Sequence, residues 1–359
     1  MSQVKRIVSK NAVPILFAIV CLLGVYYAQM PGQFLLMEIV KRMARNSFLV
    51  LSLIIPVVAG MGLNFGIVLG ALAGQIALIL STHWEWAGIG GLALTALLAT
   101  PMAVLFGVLA GMVLNKAKGR EMITGMVMGF FANGVYQFIF LFLVGTLIPF
   151  DNPALRISTS PGLRNTVNLS RLRGALDNIW TVQYGFTKIP IVTFLVIALL
   201  ALAIWAFFKT KLGQDFRAVG QDRHISSVAG IQTDRNRVLA IVFSTVLAAW
   251  GQIIFLQNIG TLNTYNSHEQ VGTFAIAALL IGGASVTRAT IGQALTGAFL
   301  FHLLFVVSPS AGQAIFGSAQ VGEYFRVFVA YGIIAISLAL HAWRSRSLAK
   351  ASMEEDVSV

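Results

Sequence analysis

The sequence predicts an all-α polytopic membrane protein with about ten transmembrane helices, some broken or re-entrant near the middle, and both termini cytoplasmic. Three observations carry this. Hydrophobic residues make up 57% of the 359, and the mean hydropathy is +0.82, far above soluble domains. Aspartate and glutamate total only 13, too few for a water-exposed surface of this size. The charges that exist are gathered between uncharged runs of membrane-crossing length, about 20 residues.

The formal net charge of +12 does not point to nucleic acid, because the basic residues sit between apolar spans and not on one polar face. Anionic membrane lipid is the natural counter-charge. The single cysteine, Cys21, lies in the first apolar run, which excludes an intrachain disulfide and a cysteine metal site.

In chain order, Lys5, Arg6 and Lys10 precede an apolar run from about 12 to 30, read as an uncleaved first span. Phe34 to Arg45 carries Glu38, Lys41, Arg42 and Arg45 at spacings of three and four, which suggests a helix lying at the membrane surface. The uncharged stretch between Arg45 and Glu85 is long enough for two spans. They turn at Gly60-Met61-Gly62-Leu63-Asn64-Phe65-Gly66, after Pro56 interrupts the first. Such a turn is either a packing turn of small residues or a broken helix lining a solute path.

Trp86 to Asn115 forms the next span and ends at the basic loop Lys116-Ala117-Lys118-Gly119-Arg120. In the following span, Met122 to Phe150, Asn133 and Gln137 are four apart and share one helix face, where they either join helices or meet a ligand. Residues 151–188 form a polar extracytoplasmic insertion, a partly ordered cap or a surface for a soluble partner. Further spans follow at Ile189–Phe208, Val238–Leu256, Thr273–Ser285, Ile291–Val307 and Tyr324–Trp343. A polar loop separates the last two from Ser308 to Glu323. Residues 344–359 form a polar cytoplasmic tail.

The densest charge lies in residues 209–237, a basic segment between two apolar runs and therefore a cytoplasmic loop. Asp222 is placed to cap a short helix over Arg223 to Ala229, and Gly230 to end it in the left-handed conformation. About two turns are too short to be stable alone in water. The loop is either an ordinary solvated connection or a helix shaped to dock on a partner.

The order Phe216-Arg217-Ala218-Val219-Gly220, a short helix, Ala229-Gly230-Ile231, and then a helix with Ser244, Ala248, Ala249 and Gly251 resembles the cytoplasmic coupling segment of bacterial ABC importer permeases. The subgroup resembled is the one for simple sugars, nucleosides and branched-chain amino acids. A second match is Ala275 to Ser285 with Gly292 and Gly297. Three departures stand out: Asp222-Arg223 and Ser226-Ser227 replace the family's usual Asn-Pro or Asn-Glu pair and two alanines, and Arg288 falls where small glycines are usual.

The resemblance implies that Arg217, Gly220, Asp222, Arg223, His224, Ser226, Ser227, Ala229 and Gly230 couple the chain to an ATP-binding subunit. It also implies a second permease, identical or paralogous, and an extracytoplasmic solute-binding protein. The permeases carry a Gly-flanked polar turn at the place of residues 60–66. Asn64-Phe65-Gly66 looks closer to the nucleoside type than to the sugar type. Asn64, Phe65, Gly66, Phe130, Asn133 and Gln137 are the expected solute path, with Phe65 and Phe130 or Phe131 able to stack on a flat ring.

Absences narrow the function further. No Asp or Glu falls deep within a predicted span; Glu85, Glu269 and Glu323 sit at ends. His302 is the one histidine in mid-span, more often a helix-bridging hydrogen bonder than a proton carrier. The dipeptide Gly-Lys never occurs, so the chain has no phosphate-binding loop of its own. It is expected to carry no cofactor, with ATP and Mg on the partner subunit. The five histidines are scattered and no Gly-x-Ser-x-Gly is present, so a membrane enzyme has no positive support. A stand-alone transporter is the competing reading, in which the charged loop only sets topology.

Overall fold

A computed structural model describes residues 11–150, 152–156, 161–336 and 339. Lys5, Arg6, Lys10 and the tail 344–359, on which the placement of both termini rests, lie outside these residues. The chain is mostly helical. Helix α1 (Ala12–Ala28) is followed by α2 (Gly32–Ser52), α3 (Ile54–Val58), α4 (Ile67–His83) and α5 (Gly88–Lys116). Then come α6 (Glu121–Phe138, prolonged by a π turn over Ile139–Leu143), α7 (Ile191–Phe207), α8 (Lys211–Gln221) and α9 (Arg223–Val228). The last four are α10 (Thr233–Ile259), α11 (Glu269–Ile281), α12 (Ile291–Phe316) and α13 (Ala319–Ile336).

Among the described residues five helices are long and apolar enough to cross a membrane: α5, α6 with its π turn, α10, α12 and α13. The pair α7 and α8, bent by 76°, adds a sixth if counted as one span. Helices α1, α4 and α11 are apolar but shorter.

Helix α10 is the centre of the bundle, with α4 and α5 laid along it. Small residues set how close they come. A Cβ on Gly70 would lie 2.3 Å from the Thr245 carbonyl oxygen, and one on Gly74 2.4 Å from that of Ala249. Where apolar solvent gives helices no hydrophobic reason to associate, such backbone proximity supplies the dispersion contact that does.

Four expectations are corrected. The fold is not purely helical, because two short antiparallel ribbons occur. Strand β1 (Thr166–Asn168) pairs with β4 (Thr261–Asn263), and β2 (Thr181–Tyr184) with β3 (Thr187–Pro190). The first ribbon ties the polar insertion to the connector after α10, so backbone groups of both segments satisfy one another. The charged stretch Phe34–Arg45 is not a separate surface helix. It is the first part of α2, which runs on into the fully buried residues Ser47 to Ser52.

The span expected to reach Phe150 ends at Leu143, beyond which the backbone turns through Val144–Ile148. The loop expected from Ser308 is helical to Phe316, since Pro309 is accommodated inside α12. There Ser308 Oγ donates to the Leu304 carbonyl, which keeps that hydroxyl satisfied within the helix.

Candidate functional site

Two regions bring together the residues singled out in the sequence. In the first, α8 precedes the expected short helix, a helix the charge pattern alone did not reveal. It begins where Thr210 caps Gly213 N (3.2 Å) and buries Phe216 and Val219 on one face. Asp222 then caps α9, its Oδ1 accepting from Ile225 N at 2.8 Å. Ser226 is buried, and its hydroxyl donates to Asp222 O at 2.6 Å. Gly230 (φ +82°) ends the segment, and Ile231 N reaches back to Ser226 O at 3.0 Å.

Arg223 pairs with Asp234, which pins α9 to the start of α10. His224, Ser227 and Ala229 are exposed, as is Arg217, whose guanidinium lies 5.1 Å from the Phe208 ring centroid. Ile225 and Val228, three apart on α9, present an apolar pair 66% and 78% exposed. A two-turn helix held at both ends that turns apolar side chains outward has the form of a docking element.

Gly220 faces the interior of the protein. A Cβ there would sit 2.0 Å from Val58 O and 3.0 Å from Gly60 N. Gly60 itself is left-handed (φ +73°) and opens the turn between α3 and α4. Helix α8 therefore rests directly on the turn predicted from the Gly-flanked motif. Beside this contact lies a cavity of about 630 Å³ lined by Val58, Arg217, Gly220 and residues 287–290. Arg288 belongs to that lining, in the turn after α11.

The second region is a cavity of about 360 Å³ between α4, α6, α11 and α13. Its lining includes Phe65, Phe130, Asn133, Glu269, Thr273 and Tyr331. Of the expected path residues, Phe65, Phe130 and Asn133 meet here. Asn64 does not line the cavity. It is buried and donates to Ser244 Oγ at 3.1 Å, holding the turn to α10. Gly66 is the residue before α4 and packs tightly against α6: a Cβ on Gly125 would be 3.2 Å from Gly66 N, and one on Gly66 itself 3.0 Å from Asn64 Oδ1. Phe131 points away and is 73% exposed. Gln137 shares the face of Asn133, as the spacing of four requires, and donates to Asn133 Oδ1 at 3.3 Å.

Sequence reasoning missed most of the polar groups around Asn133. Its amide donates to the Glu269 carboxylate, the first residue of α11. With its proton on Nε2, His268 donates to Asn133 Oδ1 (2.9 Å), and its Nδ1 lies 3.3 Å from Gln75 Oε1. Gln75 Nε2 donates to Tyr136 OH (2.9 Å) and Thr264 O (2.6 Å), and Tyr136 OH also donates to Thr264 O (2.6 Å). Gln75, Tyr136 and His268 are buried while Glu269 is open to the cavity. A neutral imidazole has one N–H to give, so it bonds one of the two amide oxygens and not both; the other hydrogen bonds of the group fix the side-chain positions. The available signal was Gln75, the one glutamine in the uncharged run between Arg45 and Glu85. Among the described residues His302 makes no helix-bridging hydrogen bond. It is 5% exposed, and its Nδ1 has no hydrogen-bond partner among the described residues. No group of three metal-ligating side chains occurs among the described residues.

An apolar bundle, a capped helix offered outward on a basic segment, and a glycine contact from that helix to a turn beside a small cavity define a multi-pass membrane transporter component. Residues 35–338 match the family described as the permease component of the branched-chain amino acid transport system, and the chain belongs to that family. Its members are transporters, not enzymes. The chain is thus a permease of the bacterial ABC importer type that its coupling motif resembles.

Similar proteins include the autoinducer 2 import system permease protein LsrC of Photorhabdus luminescens, 26% identical over 305 residues, covering 83% of this chain and 82% of that protein. LsrC of Klebsiella pneumoniae subsp. pneumoniae is 33% identical over 131 residues, 36% of this chain and 37% of that protein. LsrC of Yersinia pestis is 35% identical over 119 residues, 32% and 33%. Over these higher-identity stretches the chain spans about a third of its relatives' length. No solved structure matches.

Proposed function

We propose that the chain is the membrane-spanning subunit of an ATP-driven importer in the bacterial inner membrane and forms the path for a small, ring-shaped polar solute. The observation that carries this is the physical continuity between the two regions. The outward-facing α9 is joined to α8, whose Gly220 rests on Gly60, and Gly60 opens the turn that delivers Phe65 to the cavity. ATP binding to a partner subunit, with its Mg, would pull on α8 and α9 and shift the balance between two access states. The polar insertion would lie on the extracytoplasmic side and receive a solute-binding protein.

Ten crossings fit the helices: α1, α2 with α3, α4, α5, α6, α7, α10, α11, α12 and α13, with α4 and α11 as the short members whose spans are completed by irregular chain. That layout places both termini in the cytoplasm. A second permease, identical or paralogous, would complete the path.

The cavity of about 360 Å³ is at the small end of the ~300–1,000 Å³ range for ligand pockets. Its Phe65 and Phe130 rings offer apolar faces, while Asn133, Glu269 and Thr273 offer hydrogen bonds to hydroxyls. That chemistry fits a simple sugar or the ribose of a nucleoside. Import of autoinducer 2, which names the LsrC relatives, agrees with a sugar-like solute.

The test is purification in mild detergent followed by mass spectrometry and an ATPase assay. A co-purifying ATPase is expected, and it should be lost when residues 223–229 are scrambled. A chain that purifies alone and transports in liposomes without ATP would overturn the proposal.

A further inference from the structure

The cavity at Asn133 holds one charged side chain and nothing that neutralises it. Among its lining residues only Glu269 carries a charge; Asn133, Gln270, Thr273 and Tyr331 are neutral polar groups and the rest are apolar. Glu269 forms no ion pair among the described residues.

This carboxylate stands deep in the bundle. Its place in the sequence puts Glu269 at the end of one span, but the structure sets it beside the middle of another. Its partner Asn133 lies on α6, which with its π turn runs from Glu121 to Leu143. At about 1.5 Å per residue, Asn133 is about 18 Å from one end of that span and about 15 Å from the other. That is the centre of a hydrocarbon layer about 30 Å thick. An ionisable group at such a depth is kept where it pairs with something or serves a function.

Two features let Glu269 stay ionised without a cation. It is the first residue of α11, where the helix dipole favours negative charge. Its Oε1 also accepts from the Asn133 amide. A carboxylate can only accept, so Asn133 must turn its NH2 toward Glu269 and its oxygen toward Gln137 Nε2, 3.3 Å away. Asn133 is thereby a positioning residue. The second carboxylate oxygen, Oε2, accepts from none of the described residues. Thr273, four residues on and so on the same face of α11, shares the cavity.

We propose that Glu269 selects solutes by charge, admitting neutral or cationic ones and rejecting anionic ones such as phosphate esters. This rests on reading the cavity as the solute path. The free oxygen accepts from a hydroxyl or an ammonium group. A phosphate or carboxylate meets a like charge, and no lysine or arginine in the lining offsets it. Between apolar walls that repulsion is screened far less than in water.

The test is thiol chemistry on the purified full assembly in lipid nanodiscs, with Thr273→Cys in a Cys21→Ser background. The thiol is reacted with two methanethiosulfonate reagents of similar size, one bearing a trimethylammonium group and one a sulfonate. With Glu269 in place, the ratio of cationic to anionic rates should exceed that of a free thiol in solution by about tenfold or more. Glu269→Gln should return it to the free-thiol ratio. Glu269→Asp keeps the charge and should keep the ratio high, whereas a merely structural role would leave the ratio indifferent to charge. Phe316→Cys, at an exposed position at the end of α12, should not respond to Glu269→Gln. Comparing two reagents at one thiol cancels changes in access or folding. The readout needs neither solute nor ATP, so absent ATP-dependent uptake with the ratio intact counts against the importer reading alone. A ratio unchanged in Glu269→Gln, a ratio no higher than that of a free thiol when Glu269 is present, or a thiol that neither reagent reaches would overturn the proposal.

Discussion

Replacing Gly220 with alanine tests whether α8 drives the α3–α4 turn. The added Cβ would lie 2.0 Å from Val58 O and 3.0 Å from Gly60 N. The first distance is about 1.5 Å short of the ~3.5 Å at which non-bonded heavy atoms sit comfortably. Both neighbours are backbone, so no side chain can swing aside, and α8 must lift off the turn. Overpacking of this kind costs about 1–3 kcal/mol. Because about 1.4 kcal/mol corresponds to a factor of ten, the coupled geometry should be depopulated roughly 5- to 150-fold.

The assay is reconstituted transport with ATP hydrolysis measured in parallel. Gly220→Ala should assemble with the ATPase through the intact α9 and hydrolyse ATP, but solute moved per ATP should fall at least tenfold. Gly292→Ala, where nothing lies within 4 Å, is the control. It should be neutral or slightly stabilising, because alanine is favoured over glycine in a helix by up to about 1 kcal/mol. A Gly220→Ala protein that assembles and transports at the wild-type ratio would refute the claim that this contact transmits the motion.

Two further outcomes follow from the same geometry. Asp222→Ala removes the cap bond to Ile225 N and should destabilise α9 by about 1 kcal/mol, seen as weaker ATPase retention that Asp222→Ser restores. Arg237 and Glu121 form an ion pair with side chains only 7% and 14% exposed. Arg237→Ala strands the carboxylate and should cost about 3–5 kcal/mol in thermal unfolding, whereas a double replacement by leucine should recover most of that.

Much of this protein is local and therefore legible in the sequence. Long uncharged runs require helices, because only internally bonded backbone tolerates an apolar solvent. Asp222 and Gly230 mark the ends of α9 because capping is settled within a turn of chain. Asn133 and Gln137 meet because four residues complete a helical turn. The path residues were legible only in part. Phe65, Phe130 and Asn133 share a cavity, but Asn64, from the same motif, turns inward to Ser244, 180 residues away.

What the tertiary structure decided are contacts between distant segments that no local period encodes. Glu269 reaches Asn133 across 136 positions, and Gln75 and His268 join them across 193. Strand β1 finds β4, and Gly220 finds Gly60. In the membrane, where apolar burial no longer distinguishes one helix face from another, the register of helix packing falls to small residues and buried polar pairs. The sequence by itself determined the long apolar helices, the two ends of α9 and the family. Only close packing, through Gly60, Gly70, Gly74 and Gly220 together with the network at Gln75, determined which of their side chains share a site.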